Sequence, residues 1–165
     1  MQQTMQQAEE VLFATEDQQD DYAGQLPEIQ TDKYLIFSSD GLMYGIKADQ
    51  VKDIITDYAI TYLPRVPNYV RGVINLRGQI IPMLDIRLRL GKPPQENFCG
   101  IVVDVDGNNL VGILVDMVEQ MVDVPLDAIL PVPTSSTSQA MVSGMCTLPD
   151  GSTMLELDCG LLLHD

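Results

Sequence analysis

The 165-residue sequence predicts an all-β fold, a barrel or a pair of sandwiches, built from two similar halves. Three observations carry this prediction. About ten short apolar runs alternate with residues that favour tight turns, as in strands joined by hairpins. Features of the first half recur in the same order in the second half. Helical patterns are confined to a few short segments.

The first 32 residues form an acidic N-terminal extension, which we expect to be mobile and largely disordered. Thr4 and Gln7 have the spacing of a capping box, which predicts a short helix over about residues 4–14. Residues 15–32 are polar and acidic, and they have the composition of a linker. A mobile tail is the favoured interpretation of the extension, and a docking helix is the alternative.

Residues 33–165 form the predicted folded domain. Its predicted strands cover residues 34–37, 42–46, 51–55, 70–76, 80–84, 100–105, 110–115, 121–124, 141–148 and 154–157. Turn-forming residues stand between them, and Arg77-Gly78 has the length of a two-residue hairpin turn. Short helices are predicted at 85–90 and 159–163, the first closed by Gly91 and Pro93.

The two halves of this domain share an ordered set of residues. The matched pairs are Gly45 with Gly112, Val51 with Val118, Leu63-Pro64 with Leu130-Pro131, Gly72 with Gly144, and Leu84-Asp85 with Leu157-Asp158. The shared order predicts two similar β subdomains of about 60 residues each, which are too small to have substantial cores of their own. We therefore expect them to pack on each other and to fold as one unit.

The charge of the chain is strongly negative and unevenly distributed. It carries 24 acidic and nine basic residues, which argues against binding to nucleic acid or to anionic membrane surfaces. A basic stretch, residues 65–92, holds six of the nine cations (Arg65, Arg71, Arg77, Arg87, Arg89 and Lys92) and one acid, Asp85. Residues 93–165 hold no Lys or Arg. This distribution predicts two opposed faces for two different protein partners.

No catalytic or metal-binding motif stands out in the sequence. Cys99, Cys146 and Cys159 are predicted to be reduced, buried thiols, and the single histidine, His164, stands next to the C-terminus. Asp104 and Asp106 have the spacing of ordinary turn residues. A small enzyme that uses one of the cysteines or this aspartate pair remains the alternative. The methionines are expected to fill the core, or in the case of Met83, Met117 and Met121 to line an adaptable contact surface.

The basic stretch contains the most distinctive motif. Gly72-Val-Ile-Asn-Leu-Arg-Gly78 followed by Ile80-Ile-Pro-Met-Leu-Asp-Ile-Arg87 resembles the signature of the CheW family, the coupling proteins of bacterial chemotaxis. Residues 51–55, 63–64, 111–118 and 154–158 also fall in family order, so the resemblance covers about residues 33–163. The matching motif positions are Asn75, Leu76, Gly78, Pro82, Asp85, Gly112 and Asp116.

The resemblance implies two intertwined, five-stranded SH3-like barrels without enzymatic activity, cofactor or metal. It implies an adaptor that couples the cytoplasmic tip of a chemoreceptor (a methyl-accepting chemotaxis protein) to the regulatory domain of the histidine kinase CheA. It implies a cytoplasmic protein, without direct membrane insertion, recruited to receptor arrays at the inner face of the membrane. An adaptor of the same fold in a different chemosensory pathway is the alternative.

The resemblance also implies a receptor-contact region at Val51, Asp53, Gly72 and Arg77. The position of Asp53 is commonly Glu in the family, where it can pair with the motif arginine. Arg77 is therefore predicted either to form an ion pair with a nearby acid, to bind a partner, or to do both, because arginine is enriched in interface hot spots.

Overall fold

Residues 29–94, 99–132 and 141–162 are described by a computed structural model. The predicted helix at 4–14 and His164 lie outside these residues. The described chain forms eleven strands: β1 Thr31–Ser39, β2 Leu42–Lys47, β3 Val51–Ile55, β4 Val70–Leu76, β5 Gln79–Asp85, β6 Cys99–Asp104, β7 Leu110–Val115, β8 Met117–Pro125, β9 Leu130–Pro131, β10 Val142–Thr147 and β11 Thr153–Leu157. Two one-turn helices, α1 (Ile86–Arg89) and α2 (Cys159–Leu162), follow β5 and β11.

The strands form two sheets that exchange strands between the halves of the chain. The six-stranded sheet has the order β8-β1-β2-β11-β10-β9, and the five-stranded sheet has the order β3-β6-β7-β5-β4. Each sheet therefore combines one hairpin from one half with strands from the other half. Because neither half can complete a sheet alone, the two subdomains fold together. The predicted all-β class and the intertwined arrangement are confirmed, with the two-residue β9 as an added sixth strand.

The internal repeat is confirmed at the level of strand register. A β-bulge interrupts the pairing between Val70 and Gly72 in β4, and an equivalent one lies between Val142 and Gly144 in β10. The parallel pairs are equivalent too, because Gly112 faces Met83 in one sheet and Gly45 faces Glu156 in the other. In both sheets the glycine leaves room for a methionine, since an added Cβ would lie 2.2 Å from the Sδ of Met83 or 2.3 Å from that of Met154.

One predicted match in the repeat is wrong. Thr61 bridges Val73 beside Gly72, whereas Leu130 pairs with Met145 beside Gly144. Thr61, and not Leu63, is therefore the structural equivalent of Leu130. The Leu-Pro match was misleading because the segment between β3 and β4 differs in length from the segment between β8 and β10.

Three apolar clusters form the interior. One fills the five-stranded sheet's barrel around Ile74, Ile81 and Met83, and another fills the six-stranded sheet's barrel around Tyr34 and Met154. The largest lies between the sheets, and it takes residues from both: Leu35, Phe37, Tyr44, Ile46, Tyr69, Leu84, Ile86, Ile101, Val103, Val111, Ile113, Val115, Met141, Val142, Leu157, Cys159 and Leu162. This shared cluster is why two small barrels are stable as one unit.

Strands β1 and β8 each cover nine residues where four were predicted, β3, β4 and β7 have the predicted bounds, and β10 is two residues shorter than predicted. Most of β8 is exposed, so its residues lack the apolar run that marks a buried strand. No helix among the described residues is long and apolar enough to cross a membrane.

Candidate functional site

The tip of the β4–β5 hairpin holds Arg77 in a fixed position. Leu76 pairs with Gln79, so Arg77 and Gly78 alone form the turn. Their φ angles of +52° and +84° are those of a two-residue turn whose twist matches the flanking strands. The side-chain oxygen Oδ1 of Asn75 accepts a hydrogen bond of 2.9 Å from the N–H of Gly78. The motif residues Asn75 and Gly78 therefore shape the turn that presents the arginine.

Arg77 forms the ion pair that the sequence predicted. Its Nη2 lies 3.6 Å from Oδ2 of Asp53 on β3, so the hairpin tip reaches the edge strand of the same sheet. The side chain of Arg77 is 84% exposed and that of Asp53 is 28% exposed. An exposed pair at this distance contributes little to stability, about 0.5 kcal/mol or less. Most of the donors of the guanidinium group remain available to a partner carboxylate or carbonyl.

Val51 and Gly72 have a different setting. Val51 is half-buried and packs against the cluster between the sheets, while Gly72 is buried. At Gly72 an added Cβ would lie 2.2 Å from the carbonyl oxygen of Thr61. Thr61 and Val73 exchange backbone hydrogen bonds of 2.8 and 2.9 Å across this contact. Because Gly72 has no side chain, the chain segment at Thr61 can pack against β4. A direct receptor contact through Gly72 stays a prediction.

Exposed apolar side chains lie beside the Asp53–Arg77 pair in the chain. Ile54 follows Asp53 and is 40% exposed, and Ile80, two residues after Gly78, is 61% exposed. Neither was singled out from the sequence, because an isoleucine in a strand is ordinarily counted as core. The alternation of side chains along a strand could have identified both as exposed, because Ile55 and Ile81 are buried and their neighbours in the strand point the other way.

The remaining cations of the basic stretch are mostly engaged within the chain. Arg71 donates to the buried carboxylate of Asp85 at 3.1 Å, and the guanidinium carbon of Arg89 lies 4.7 Å from the ring centre of Tyr69. Arg87 and Lys92 form ion pairs with Asp40. Most cations of the stretch are therefore engaged by groups of the same chain, and the two opposed charged faces stay a prediction. Arg65, Arg77 and Lys92 are the members of the stretch whose residues are exposed.

Four further motif residues have structural roles. Asp85 is buried, and its Oδ1 accepts a hydrogen bond of 2.9 Å from the N–H of Arg87, which caps α1. Leu76 packs against the core of the five-stranded sheet's barrel. Pro82 pairs with Val73, whose N–H and carbonyl both bond to Thr61, so no hydrogen bond to β4 is lost at the proline. Gly112 leaves space for Met83, which is fully buried; the predicted contact-surface role of Met83 is therefore wrong.

A cluster of charged side chains surrounds the last motif residue, Asp116. We call Asp40, Arg87, Lys92 and Asp116 the Arg87 cluster. Arg87 donates from Nε and Nη2 to the two carboxylate oxygens of Asp116 at 3.0 and 2.6 Å. This bidentate contact holds the pKa of the Asp116 carboxyl below its ordinary value, against the opposing effect of partial burial. The sequence did not predict the participation of Asp40, because only the fold brings this turn to α1.

Two of the three thiols and both acids considered for catalysis are in unsuitable settings, and the third thiol, Cys99, is half-buried and not buried as predicted. Burial raises the pKa of Cys159 to about 11 and also raises that of Cys146, which keeps both in the unreactive thiol form. Cys159 lines a cavity of about 160 Å³ together with Glu156, whose two oxygens accept hydrogen bonds from Tyr34 and Ser143. Asp104 and Asp106 accept backbone hydrogen bonds of their own turn. Within the described ranges, no three His, Cys, Asp or Glu residues are grouped to hold a metal ion.

Comparison with known proteins identifies relatives of the chain. The family model of the CheW-like domain matches residues 33–165. Chemotaxis protein CheW of Klebsiella aerogenes is 32% identical over 111 residues, 66% of each chain. Chemotaxis protein CheW of Bacillus subtilis is 43% identical over 70 residues, 42% of this chain and 45% of that protein. The chain therefore spans less than two thirds of the length of these relatives.

A solved structure is similar over most of both chains. The scaffolding protein TtCheW from Thermoanaerobacter tengcongensis matches with a TM-score of 0.75 and 28% identity, covering 82% of this chain and 94% of that chain. Protein FrzA of Myxococcus xanthus is 27% identical over 114 residues, 66% of this chain and 69% of that protein.

Proposed function

The chain belongs to the CheW-like family, and from this premise we propose that it is a chemotaxis adaptor, not an enzyme, which couples chemoreceptors to the histidine kinase CheA. The observation that carries the proposal is Arg77, held at a rigid hairpin tip with its guanidinium group exposed. A preorganised arginine loses little conformational entropy on binding, which favours its use as an interface anchor.

The receptor contact proposed for this site combines charge and apolar surface. Arg77 donates to an acidic or carbonyl group at the cytoplasmic tip of the receptor, and Asp53 orients it. The exposed parts of Ile54 and Ile80 supply apolar area, and half-buried Val51 supports β3 from the side of the inter-sheet cluster. Gly72 contributes indirectly, because its lack of a side chain lets the segment at Thr61 pack against β4.

The kinase contact is proposed on the six-stranded sheet. Leu130 and Met145 face each other across β9 and β10, and they are 62% and 39% exposed. Exposed apolar pairs of this kind favour association with another protein surface. We place the adaptor in the cytoplasm, recruited to receptor arrays at the inner face of the membrane through its partners.

The test compares two arginines with the same local backbone. Arg65 and Arg77 both have positive φ angles, +62° and +52°, so Arg65→Ala controls for the effect of alanine at such a position. We expect Arg77→Ala to weaken binding to a receptor-tip fragment about tenfold or more, as for an interface hot spot. Arg65→Ala should leave it unchanged. Binding is measured by calorimetry with the purified full-length chain.

The kinase arm of the same experiment separates the two surfaces. Binding to the CheA regulatory domain should be equal in the wild-type chain and in Arg77→Ala, and it should weaken in Leu130→Ser. Equal receptor affinity of the two arginine variants, with both folded, would contradict the role of Arg77. Failure of the wild-type chain to bind either partner would contradict the proposed function itself.

A further inference from the structure

The Arg87 cluster lies where the two sheets meet. Asp40 is in the β1–β2 turn of the six-stranded sheet, and Arg87 is in α1, directly after β5 of the five-stranded sheet. Asp116 stands between β7 and β8, where the chain passes from one sheet to the other. The cluster therefore connects a turn of the six-stranded sheet, the helix that follows the five-stranded sheet, and the crossover between the two sheets.

Its hydrogen bonds form a closed network. Arg87 binds Asp116 through Nε and Nη2, and its Nη1 lies 3.3 Å from Oδ1 of Asp40. The second oxygen of Asp40 is 2.7 Å from Nζ of Lys92. The N–H of Asp40 donates to Asp116 at 2.9 Å, and the N–H of Asp116 donates to the carbonyl of Ser38 at 2.9 Å. The carboxylate of Asp40 is thus bound by two cations, and the carboxylate of Asp116 is bound by one cation and one backbone N–H.

The Arg87 side chain is well placed for such a connection. It is 18% exposed, and the side chains of Asp40 and Asp116 are 28% and 20% exposed, so solvent weakens these contacts less than it weakens the Asp53–Arg77 pair. Bidentate guanidinium–carboxylate contacts are directional, because the planar fork fits the carboxylate in one orientation. The apolar cluster between the sheets is extensive, but the hydrophobic effect that holds it is not directional.

The internal repeat has no counterpart of Arg87 in its second half. Asp85 and Asp158 occupy equivalent positions, since each accepts a 2.9 Å hydrogen bond from the N–H two residues later. That later residue is Arg87 in one half and Gly160 in the other, which has no side chain to reach across. The second half thus has a glycine at this position, whereas the half that carries the proposed receptor hairpin has an arginine.

We propose that Arg87 is a positioning residue that fixes the angle between the two sheets by holding the β1–β2 turn and the β7–β8 crossover against α1. Its consequence for binding rests on the proposed function. An adaptor that holds two partners on different sheets needs a defined angle between those sheets, because an angle that varies lowers the effective concentration of one partner at the other.

The structural arm of the test needs no partner. Residual dipolar couplings of backbone amides in the full-length chain report the orientation of each sheet. We expect one alignment tensor to fit both sheets in the wild-type chain, and different tensors to be needed in Arg87→Met. The control is Arg71→Met, which removes an arginine whose partner, Asp85, lies in the same sheet. A single tensor for Arg87→Met, as good as for the wild-type chain, would overturn the proposal.

The binding arm uses a receptor-tip fragment and the CheA regulatory domain. Arg87→Met should bind each partner alone within about twofold of the wild-type affinity and should form the three-component complex about fivefold less well. Arg87→Lys keeps the charge but loses the bidentate contact, so it should show the same loss of the three-component complex. An equal loss in Arg71→Met would overturn the positioning role, because general destabilisation would then explain it. If the wild-type chain binds neither partner, the proposed function fails, and the dipolar couplings alone decide the role of Arg87.

Discussion

Gly72 is the residue at which a single added carbon should have the largest effect. Its φ of +146° is a conformation that residues with a Cβ rarely adopt, and holding alanine there costs about 1–3 kcal/mol. The added Cβ would also lie 2.2 Å from the carbonyl oxygen of Thr61 and 2.8 Å from Cγ2 of Ile60. The carbonyl cannot move without breaking the two backbone hydrogen bonds to Val73, each worth about 1 kcal/mol. We therefore expect Gly72→Ala to lower the free energy of unfolding by about 4 kcal/mol.

Two other glycines separate the causes of this loss. Gly78 has a φ of +84°, and an added Cβ would meet no atom within 4 Å beyond its chain neighbours, so Gly78→Ala tests backbone strain alone, at about 1 kcal/mol. Gly144 is the structural equivalent of Gly72 without a positive φ. Its added Cβ would lie 2.7 Å from a side-chain carbon of Ile129, so Gly144→Ala tests overlap alone, at about 1–2 kcal/mol.

Urea unfolding of the three full-length variants measures these costs. The expected order of loss is Gly72→Ala, then Gly144→Ala, then Gly78→Ala. In a chain of this size each kcal/mol lowers the melting temperature by about 3 °C, so a thermal scan gives the same order. If Gly72→Ala loses no more stability than Gly78→Ala, the segment at Thr61 moves freely, and the argument from close approach is refuted.

Two further predictions concern the interior. Met83→Ala should cost about 3 kcal/mol because it leaves a cavity over Gly112, whereas Met117→Ala, at a side chain that is 56% exposed, should cost about 0.5 kcal/mol or less; equal losses in urea unfolding would contradict the burial of Met83. Burial raises the pKa of Cys159 from its ordinary value of 9.0 to about 11, so its contribution to stability is complete below pH 9 and is lost as the pH rises towards 11. The wild-type chain should lose up to about 3 kcal/mol more than Cys159→Ala between these pH values, and parallel unfolding curves for the two chains would contradict this.

Local patterns predicted the features that depend on neighbours in the chain. Alternation of apolar and turn residues located the strands, and Arg77-Gly78 was recognised as a hairpin tip because a two-residue turn leaves little choice of conformation. Strand β8 was underestimated because its exposed edge position removes the apolar pattern. Family order pointed to Asp53 and Arg77 as a pair, and the structure places them 3.6 Å apart.

Contacts between distant segments were beyond the reach of these patterns. The charge of residues 65–92 suggested a basic face, but the partners that engage Arg87 and Lys92 stand at positions 40 and 116 and are joined to them only by the exchange of strands between sheets. Gly72 was assigned to a contact region, yet its own environment is decided by Thr61, which an incorrect Leu-Pro match had left out of the repeat. The sequence contains each of these residues, but their pairing follows from the topology.

The repeat gives the two sheets one scaffold, while the residues at equivalent positions give them different surfaces. Asp53 on β3 corresponds to Gln120 on β8, since each follows the bulge in its strand. The turn that carries Arg77 corresponds to the turn that carries Asp150, between Leu148 and Ser152. A partner carboxylate that binds Arg77 would be repelled by Asp150 at the equivalent turn. Two identical barrels would connect two copies of one partner, and this divergence of charge on a shared scaffold is what the proposed adaptor between two different partners requires.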